Sequence, residues 1–571
     1  MPFSISVLSI FFFLYDIGFE HQSNMSEVLL VIYTSTLIIG TISIIVRYFF
    51  QENRPRLKVL PFDIILLLFL ILLILQQLNF NFFLSVFKQL FWIYIGVFTV
   101  FIREFAALKI DLKRTVINPA QLFIISFLVI IVIGALLLML PETTHSRISF
   151  IDAMFTSTSA VCVTGLLVVD TGSFFTESGQ TIIILLIQIG GIGIMTFASY
   201  FSYFFRGDST YKSQLAIREM TNTEKIGEVF STLKKILLIT LLIEGTGALL
   251  IFQSIDSTVL PVLSDRIFFS VFHSVSGFCN AGFSTLENSF YEASYRFNYP
   301  LHLTIASLFI LGGLGFPIVL NLLKYLRTKI KSYFLILFGK KYLVSSPWII
   351  NINTRIVLFT SLILAVFGTL FFFLFEYNNT LSDHSFTGKI VTAFFGAVTT
   401  RTAGFNTVDT ASLKISTILI VIFLMWIGAS PGSTGGGIKT STFAIAVLNV
   451  LSIAKGKSRL EIFKREISSI SVNRAFAIII LSITVILISI FLISFFDPDK
   501  ALLNIFFECV SAYSTVGLSR GITAELSTAS KSILILTMFI GRINMLTILI
   551  AIFKKVSSEN YRFPTENILI N

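Results

Sequence analysis

Charged residues are scarce in this chain: Asp, Glu, Lys and Arg together make up 13% of its 571 residues, against 55% hydrophobic residues. Soluble globular domains carry about 25% charged residues. The shortage of charge therefore excludes an ordinary soluble domain and indicates a polytopic membrane protein. Apolar runs long enough to span a bilayer, such as residues 122–140, support this class.

Cysteine and histidine are also rare. The three cysteines, Cys162, Cys279 and Cys509, lie far apart in the sequence, and the five histidines are scattered. This distribution gives no disulfide framework, no metal-ligand spacing and no catalytic triad. We therefore predict that the chain is not an enzyme and holds no bound cofactor.

The charge that is present is unevenly distributed. The formal net charge is +11, and basic residues concentrate in three connections, at residues 206–235, 324–341 and 455–465. Because a basic excess marks the cytoplasmic side of a membrane protein, we place these connections inside the cell and the acid-bearing connections outside. Topology explains the charge, so we predict membrane lipid, and no nucleic acid, as the surroundings of the chain.

Four short stretches of the sequence align without gaps and reveal an internal repeat. They are STSAVCVTGL from Ser157, SVSGFCNAGF from Ser274, GAVTTRTAGF from Gly396 and CVSAYSTVGL from Cys509. Each contains a glycine before Leu or Phe, and these glycines lie 113 to 122 residues apart: Gly165, Gly282, Gly404 and Gly517. A second glycine follows each of them after 24 to 30 residues: Gly190, Gly312, Gly428 and Gly541.

Each unit has the same predicted order: an apolar helix, a semi-polar segment too short to span, the glycine stretch and a second apolar helix. The short segment is expected to be re-entrant, because backbone at membrane depth must face protein or water. We predict an all-α polytopic membrane protein with four pseudo-symmetric repeats around one central pore. The predicted boundaries are 1–111 for an N-terminal extension of about four transmembrane helices, then 112–230, 231–345, 346–468 and 469–571 for repeats 1 to 4.

The glycine stretches are the candidate selectivity filter of this pore. A cation that sheds water needs oxygen ligands, which rings of backbone carbonyls supply, and glycine reaches the dihedral angles required. One such stretch alone could be a helix-packing glycine or a turn, but four in register favour a filter. The predicted filter residues are Cys162, Val163, Thr164, Gly165, Cys279, Asn280, Ala281, Gly282, Arg401, Thr402, Ala403, Gly404, Ser514, Thr515, Val516 and Gly517.

The repeated order and its motifs resemble the Trk/Ktr/HKT superfamily of K⁺ transporters over about residues 112–555. The supporting stretches are INPAQL (117–122), AVCVTGL (160–166), SVSGFCNAGFST (274–285), TTRTAGFNTVD (399–409), GASPGSTGGGIKT (428–440) and FIGR (539–542). The resemblance implies channel-like K⁺ uptake across a bacterial cytoplasmic membrane, with K⁺ held by filter carbonyls. Glycine at all four filter positions implies a preference for K⁺ over Na⁺. The resemblance also implies a homodimer and a cytosolic nucleotide-binding regulatory subunit.

The stretch WIGASPGSTGGGIKTS (426–441) interrupts the second helix of repeat 3. It nearly matches a phosphate-binding loop, but Ile438 separates the last glycine from Lys439, and a membrane span precedes it, so a nucleotide site is disfavoured. Backbone freed by the break must be satisfied by protein or line a wet cavity. The alternative is a passive kink or a close helix crossing.

This interruption is the candidate gate of the pore. We expect it to lie beneath the filter, while the other three repeats keep a continuous helix at the same place. In the family that the chain resembles, this region is an intramembrane loop that obstructs the pore. The predicted gate residues are Gly428, Ser430, Pro431, Gly432, Ser433, Thr434, Gly435, Gly436, Gly437, Lys439 and Arg542.

Two arginines are predicted at membrane depth. Arg542 lies near the middle of the last apolar run, where a charge is costly unless it faces the pore or a partner. The resemblance places it below the filter, where it acts as an electrostatic barrier. Arg401 lies three residues before Gly404, and we expect it to brace the third glycine stretch from behind.

Two other functions stay open on the residues alone. A Na⁺-selective or Na⁺-coupled K⁺ transporter could use the same scaffold, although the filter glycines disfavour it. A membrane enzyme or the non-catalytic subunit of an ATPase is disfavoured because catalytic clusters and nucleotide motifs are missing from the sequence.

Overall fold

The structure, a computed structural model, describes residues 2–20, 23–49, 60–77, 90–107, 119–206, 229–337 and 350–553. Most of the predicted basic connection at 206–235 and the end of the one at 324–341 lie outside these residues. So do residues 78–89, which precede the fourth helix of the predicted N-terminal extension at Leu90. The fold is helical almost throughout the described part, as the composition predicted.

Four helices form an N-terminal bundle: α1 (Pro2–Gly18), α2 (Ser23–Phe49), α3 (Leu60–Gln77) and α4 (Leu90–Ala107). Their buried apolar side chains, such as Leu37 and Val97, form a core of their own. A buried ion pair joins α3 and α4, since Arg103 donates Nε and Nη2 hydrogen bonds of 2.7 Å each to the two oxygens of Asp63. A charge at membrane depth must be paired in this way, so loss of either partner is expected to destabilise the bundle.

Four long helices each precede a shorter one in the rest of the chain. The long helices are α5 (Pro119–Leu138), α9 (Val229–Ser254), α13 (Ile352–Glu376) and α17 (Ser469–Phe496). The shorter helices are α6 (Phe150–Val161), α10 (Leu263–Cys279), α14 (Phe386–Thr399) and α18 (Leu502–Ser514). The shorter ones have 12 to 17 residues. At 1.5 Å per residue they reach about 18–26 Å, which is less than the hydrocarbon thickness of about 30 Å.

The helices that follow the glycine stretches correct one expectation. Only α8 (Glu177–Arg206) is continuous; the others are divided into α11 (Tyr299–Leu314) and α12 (Phe316–Leu337), α15 (Ile415–Trp426) and α16 (Thr440–Ala454), and α19 (Thr528–Ile543) and α20 (Met545–Ile552). The prediction of continuous helices in the other three repeats was therefore wrong for repeats 2 and 4. Gly315 at φ +83° separates α11 from α12, which bend by 102°, and Asn544 at φ +76° separates α19 from α20. Gly and Asn are the residues that most readily adopt such angles.

The smaller elements are a single helical turn, α7 (Thr171–Phe174), a hairpin of β1 (Glu461–Ile462) with β2 (Arg465–Glu466), and three 3₁₀ turns at Pro141–Thr143, Ser289–Tyr291 and Thr523–Glu525. By length and hydropathy, five described helices could each cross a membrane, or six if α11 and α12 count as one bent span. Large apolar side chains on their outer faces are exposed, as lipid-facing surfaces require, whereas the main core lies around the short helices.

Candidate ion pathway

The four glycines predicted for the filter meet in one closed ring. Each has a left-handed φ, of 85° at Gly165, 70° at Gly282, 81° at Gly404 and 94° at Gly517. A Cβ on any of them would collide with the carbonyl oxygen of the next stretch, in the order Gly165 to Ala281, Gly282 to Ala403, Gly404 to Val516 and Gly517 to Thr164. Only glycine allows this close approach. The four repeated glycines of the sequence therefore contact one another's stretches in a ring.

A second left-handed residue precedes each glycine by two positions. These residues are Val163 at φ 56°, Asn280 at 60°, Thr402 at 70° and Thr515 at 50°. Three of them are β-branched, for which a positive φ costs about 1–3 kcal/mol. Alternation between left-handed and ordinary residues turns successive peptide groups toward one side, the geometry that a row of carbonyl ligands needs.

Hydroxyl groups at the ends of the short helices hold these strained stretches. Gly165 N donates to Ser159 Oγ at 3.0 Å, and Gly517 N donates to Ser511 Oγ at 3.1 Å. The hydroxyls of Ser276 and Thr399 donate at 2.7 Å to the carbonyl that follows the glycine in repeats 2 and 3. The sequence prediction missed these tethers, although the aligned stretches contain a hydroxyl residue near the same column in all four repeats.

The second glycine of the repeat also has a structural cause. A Cβ at Gly190, Gly312 or Gly541 would collide with the carbonyl oxygen four residues before the filter glycine of the same repeat, at Val161, Phe278 or Tyr513. Gly428 departs from this pattern, because its neighbour is the Gly436 carbonyl of the interrupting stretch. Repeat 3 therefore inserts a loop where the other repeats have direct helix-to-helix contact.

The interrupting stretch forms a loop at residues 427–439, which we name the intramembrane loop. Its two ends pair through a parallel bridge between Ile427 and Ile438. Its backbone also bonds to the break in repeat 2: Ser430 N donates to Gly313 O, and Phe316 N donates to Gly432 O, both at 3.0 Å. The two broken helices therefore satisfy the backbone groups that each break leaves free.

The intramembrane loop lies against the residues two positions before the filter glycines. Thr434 Oγ1 donates to Asn280 Oδ1 at 3.1 Å, and Gly436 N donates to Thr515 Oγ1 at 2.9 Å. Between them, a Cβ on Gly435 would collide with the Thr402 hydroxyl. The loop and the glycine ring are therefore in direct contact.

Two cations, the half-buried Lys439 and the buried Arg542, bond to the opposite side of the intramembrane loop. Lys439 Nζ donates to the carbonyls of Gly435 at 2.6 Å and Gly436 at 3.3 Å. Arg542 donates through Nη1 to Thr434 O and through Nη2 to Gly190 O at 2.7 Å. Backbone carbonyls of the loop therefore hold both positive charges.

The remaining predicted residues lie around this centre. Arg401 turns away from the ring, since its guanidinium donates to Ser361 Oγ on α13 at 3.2 Å. The thiols of Cys162 and Cys279 are buried, and Ser514, also buried, lies against Gly437 of the intramembrane loop. In the loop, the Ser430 hydroxyl lies 3.4 Å from that of Thr440, and the Pro431 carbonyl lies 2.7 Å from a Cβ built on Gly315. Gly432 and Gly437 both have left-handed φ.

An open cavity of about 460 Å³ lies on the other side of the ring and is lined by all four filter glycines. An acid five positions after the glycine lines it in three repeats, namely Asp170, Glu287 and Asp409, while Arg520 lines it in repeat 4. The sequence prediction missed this spacing. Burial raises the pKa of Asp170 above its ordinary value and Glu287 adds to the rise, although hydrogen bonds from residues 172 and 173 oppose it.

A ring of four glycine stretches, each preceded by a helix too short to span and placed between a polar cavity and a loop, is typical of membrane ion-transport proteins. The chain belongs to the TrkH family of cation transport proteins, whose profile matches residues 83–562. The match starts within the predicted N-terminal extension. Membership makes the chain a membrane cation transporter and not an enzyme.

Individual relatives agree with this membership. Ktr system potassium uptake protein B of Bacillus subtilis is 38% identical over 449 residues, covering 78% of this chain and 95% of that protein. Potassium/sodium uptake protein NtpJ of Enterococcus hirae is 32% identical over 471 residues, covering 80% of this chain and 98% of that protein. The crystal structure of the potassium transporter TrkH from Vibrio parahaemolyticus superposes with a TM-score of 0.59 at 16% identity, covering 93% of this chain and 97% of that one, and so shares the fold.

Proposed function

We propose that this chain carries K⁺ into the cell through the ring of glycine stretches, driven by the membrane potential. The observation that carries the proposal is the closed ring itself, with a left-handed glycine from each repeat against the carbonyl of the next. Carbonyl oxygens can replace the hydration shell of a K⁺ ion without adding a fixed charge. Glycine at all four positions and the potassium uptake named for the relatives support K⁺ as the ion.

The intramembrane loop is the gate in this proposal. It contacts the residues at one end of the ring, and its carbonyls hold Lys439 and Arg542. A cation leaving the ring would meet both a physical obstruction and two like charges. Transport therefore requires the loop to move away from the ring.

Growth and flux measurements test the proposed function. Expression in a bacterium that lacks its own K⁺ uptake systems should restore growth at low K⁺, with and without a co-expressed candidate regulator. The purified chain in proteoliposomes should carry ⁸⁶Rb⁺ faster than ²²Na⁺. No rescue together with no ⁸⁶Rb⁺ flux above that of empty vesicles would contradict the proposal.

A Na⁺-selective or Na⁺-coupled K⁺ transporter is the second candidate. The name of the relative NtpJ, a potassium/sodium uptake protein, favours it. The same vesicles distinguish the two: Na⁺ flux equal to that of K⁺, or K⁺ flux that requires Na⁺, selects the second candidate. K⁺ flux that is independent of Na⁺ selects the first.

The proposal includes a homodimer and a separate cytosolic nucleotide-binding subunit, both implied by the family resemblance. The hairpin of β1 and β2 supports a docking role. Its exposed acids, Glu461 and Glu466, pair with the preceding Lys457 and Arg459, and this charged surface belongs to a connection predicted to be cytoplasmic. Co-purification of the regulator with the chain, and its loss after deletion of residues 457–466, tests this docking.

Neutralising Asp170 is expected to weaken cation entry. Asp170→Asn keeps the oxygen that caps α7 through hydrogen bonds of 2.9 Å from Gly172 N and Ser173 N, so the loop should stay folded. It removes one negative charge from the cavity. The half-saturating external K⁺ concentration should rise about twofold at low ionic strength, the effect of one unit charge about 8 Å away in water.

External pH provides a second readout of the same residue. Because the pKa of Asp170 is raised, the carboxylate is charged above that raised pKa and becomes neutral as the pH falls through it. Uptake by the natural chain should therefore decline in this acidic window, and uptake by Asp170→Asn should change less. Asp499→Asn, which removes an exposed acid outside the cavity, is the control. Equal pH profiles for the natural chain and Asp170→Asn would count against a role for this charge.

A further inference from the structure

The side chains two positions before the filter glycines differ between repeats. Repeat 1 has Val163, whereas the other three repeats have polar side chains that are fully buried: Asn280, Thr402 and Thr515. We name these three residues the inner ring. Their left-handed backbone places them at equivalent points of the four stretches. Three repeats therefore offer side-chain oxygen at this level, and one does not.

Three consecutive residues of the intramembrane loop, 434–436, meet the inner ring one by one. We name them the loop tip. Thr434 bonds to Asn280 in repeat 2, Gly435 lies against Thr402 in repeat 3, and Gly436 bonds to Thr515 in repeat 4. Any side chain at position 435 or 436 would collide with a threonine of the ring, so the two glycines fit the loop tip to this surface.

Each side-chain oxygen of the inner ring accepts one hydrogen bond, two of them from the loop tip and one from within the ring. Asn280 Oδ1 accepts from the Thr434 hydroxyl, and Thr515 Oγ1 accepts from Gly436 N. Thr402 Oγ1 accepts from Asn280 Nδ2 at 3.3 Å. These lone pairs are the groups that a dehydrated cation would need as ligands.

The other face of the loop tip has the opposite polarity. The carbonyls of residues 434, 435 and 436 point away from the ring, toward Arg542 and Lys439. The loop tip thus presents hydrogen-bond donors to the filter and gives its acceptors to two cations. A cation in the filter meets the positive ends of these dipoles, so the loop tip and the cation exclude each other electrostatically as well as sterically.

We propose that the inner ring is a binding site with two alternative occupants: the loop tip when the pathway is closed, and a dehydrated K⁺ ion when the loop tip withdraws. Asn280, Thr402 and Thr515 then determine both how firmly the gate closes and how well the inner end of the filter holds the ion. This inference rests on the proposed K⁺ pathway and adds side-chain ligands to its carbonyl ring.

Variants at the contacts between the loop tip and the inner ring test the closed-state half of the proposal. Thr434→Val changes only the loop tip, Thr515→Val changes only the ring, and Asn280→Gly suits the left-handed φ of 60° at that position. Each should raise activator-free ⁸⁶Rb⁺ uptake in proteoliposomes about fivefold, the effect of one hydrogen bond of about 1 kcal/mol. Thr484→Val is the matched control, because that hydroxyl is exposed on α17 and bonds only to its own helix at 2.9 Å.

Double variants show whether the bonds act as inferred. Thr434→Val and Asn280→Gly both remove the hydrogen bond between these residues, and Asn280→Gly also removes the one to Thr402. The double variant should therefore exceed the effect of Asn280→Gly by less than twofold. Thr434→Val and Thr515→Val remove separate bonds, so their effects should multiply to about 25-fold. If the effects of Thr434→Val and Asn280→Gly multiply in the double variant, the hydrogen bond assigned between these two residues is wrong.

The ion half of the proposal has its own readout. Ring variants should raise the half-saturating Rb⁺ concentration, because they remove a ligand, whereas Thr434→Val should raise uptake without this change. Equal Rb⁺ affinity in all variants would overturn the shared site. Size-exclusion chromatography first confirms that Thr434→Val is monodisperse. If the natural chain then carries ⁸⁶Rb⁺ and this variant carries no more, the inference fails while the proposed function stands. If the natural chain carries none and also fails to restore growth at low K⁺, the proposed function fails.

Discussion

Replacing Arg542 with glutamine is expected to raise activator-free K⁺ flux about thirtyfold. Arg542 is 5% exposed and donates to carbonyls of two different repeats, Thr434 O in the intramembrane loop and Gly190 O on α8. It therefore contributes both a tether and a charge. Loss of the charge removes the repulsion that an entering cation meets beneath the ring.

Coulomb's law gives the size of this effect. At an effective dielectric constant of about 20, two unit charges about 8 Å apart repel by roughly 2 kcal/mol, which corresponds to about thirtyfold in a rate. Glutamine keeps one N–H group that can reach a carbonyl, so the variant removes the charge more completely than the tether. Arg542→Lys keeps the charge but has no guanidinium to bond both carbonyls, so its flux should rise less.

The measurement is ⁸⁶Rb⁺ uptake into vesicles with matched amounts of protein. Arg474→Gln removes a positive charge from an exposed position on α17 and controls for the change in net charge. An Arg542→Gln protein that reaches the membrane in normal amounts and carries no more Rb⁺ than the natural chain would contradict a barrier role. A rise that is equal for Arg542→Gln and Arg542→Lys would assign the effect to the tether instead of the charge.

The meeting of the four glycines in one ring was predictable because the repeat marks them as equivalent positions. One glycine stretch is ambiguous, but four copies at regular spacing point to equivalent positions in one structure, and the ring of contacts has this form. The second glycines were equally visible in the sequence. The reason for these second glycines was not visible in the sequence, because their contact with the carbonyl at Val161, Phe278 or Tyr513 depends on how two helices of a repeat cross.

The breaks at Gly315 and Asn544 could not be predicted in the same way. The stretch around Gly315 reads as an apolar helix with packing glycines, and Asn544 lies within an apolar run. What breaks the helix at Gly315 is its partner, since Phe316 N bonds to Gly432 in a loop more than 100 residues away. Tertiary contacts here override local helix preference, and a single sequence shows only the preference.

The left-handed residues before the glycines were also hidden. Val163, Thr402 and Thr515 are β-branched, and nothing in their sequence neighbourhood favours a positive φ. The tethering hydroxyls at the ends of the short helices hold this conformation, and each forms a bond across only six or seven residues. The aligned stretches contain these hydroxyl residues, but their role as tethers depends on the direction in which each backbone turns, which the sequence does not give.

Gly165→Ser is expected to lower the ratio of K⁺ to Na⁺ flux about tenfold. A side chain at φ 85° is strained in any surroundings, by about 1–2 kcal/mol, and a factor of ten in selectivity corresponds to about 1.4 kcal/mol. The new Cβ would also collide with Ala281 O and lie 3.1 Å from the Gly282 Cα. Since both neighbours are backbone atoms of the ring, they can give way only by changing the positions of the carbonyls that surround the ion.

Two comparisons separate the causes. Gly165→Ala adds the same Cβ without a hydroxyl. If it loses as much selectivity as Gly165→Ser, the effect comes from ring geometry. If it loses less, the serine hydroxyl itself binds Na⁺. Gly456→Ser adds the same side chain at φ 70° where no atom lies within 4 Å, so it carries the backbone strain without the collision and should keep the natural flux ratio. An unchanged ratio in Gly165→Ser would mean that this glycine does not face the ion, because no filter residue in so tight a ring could gain a side chain without moving its ligands.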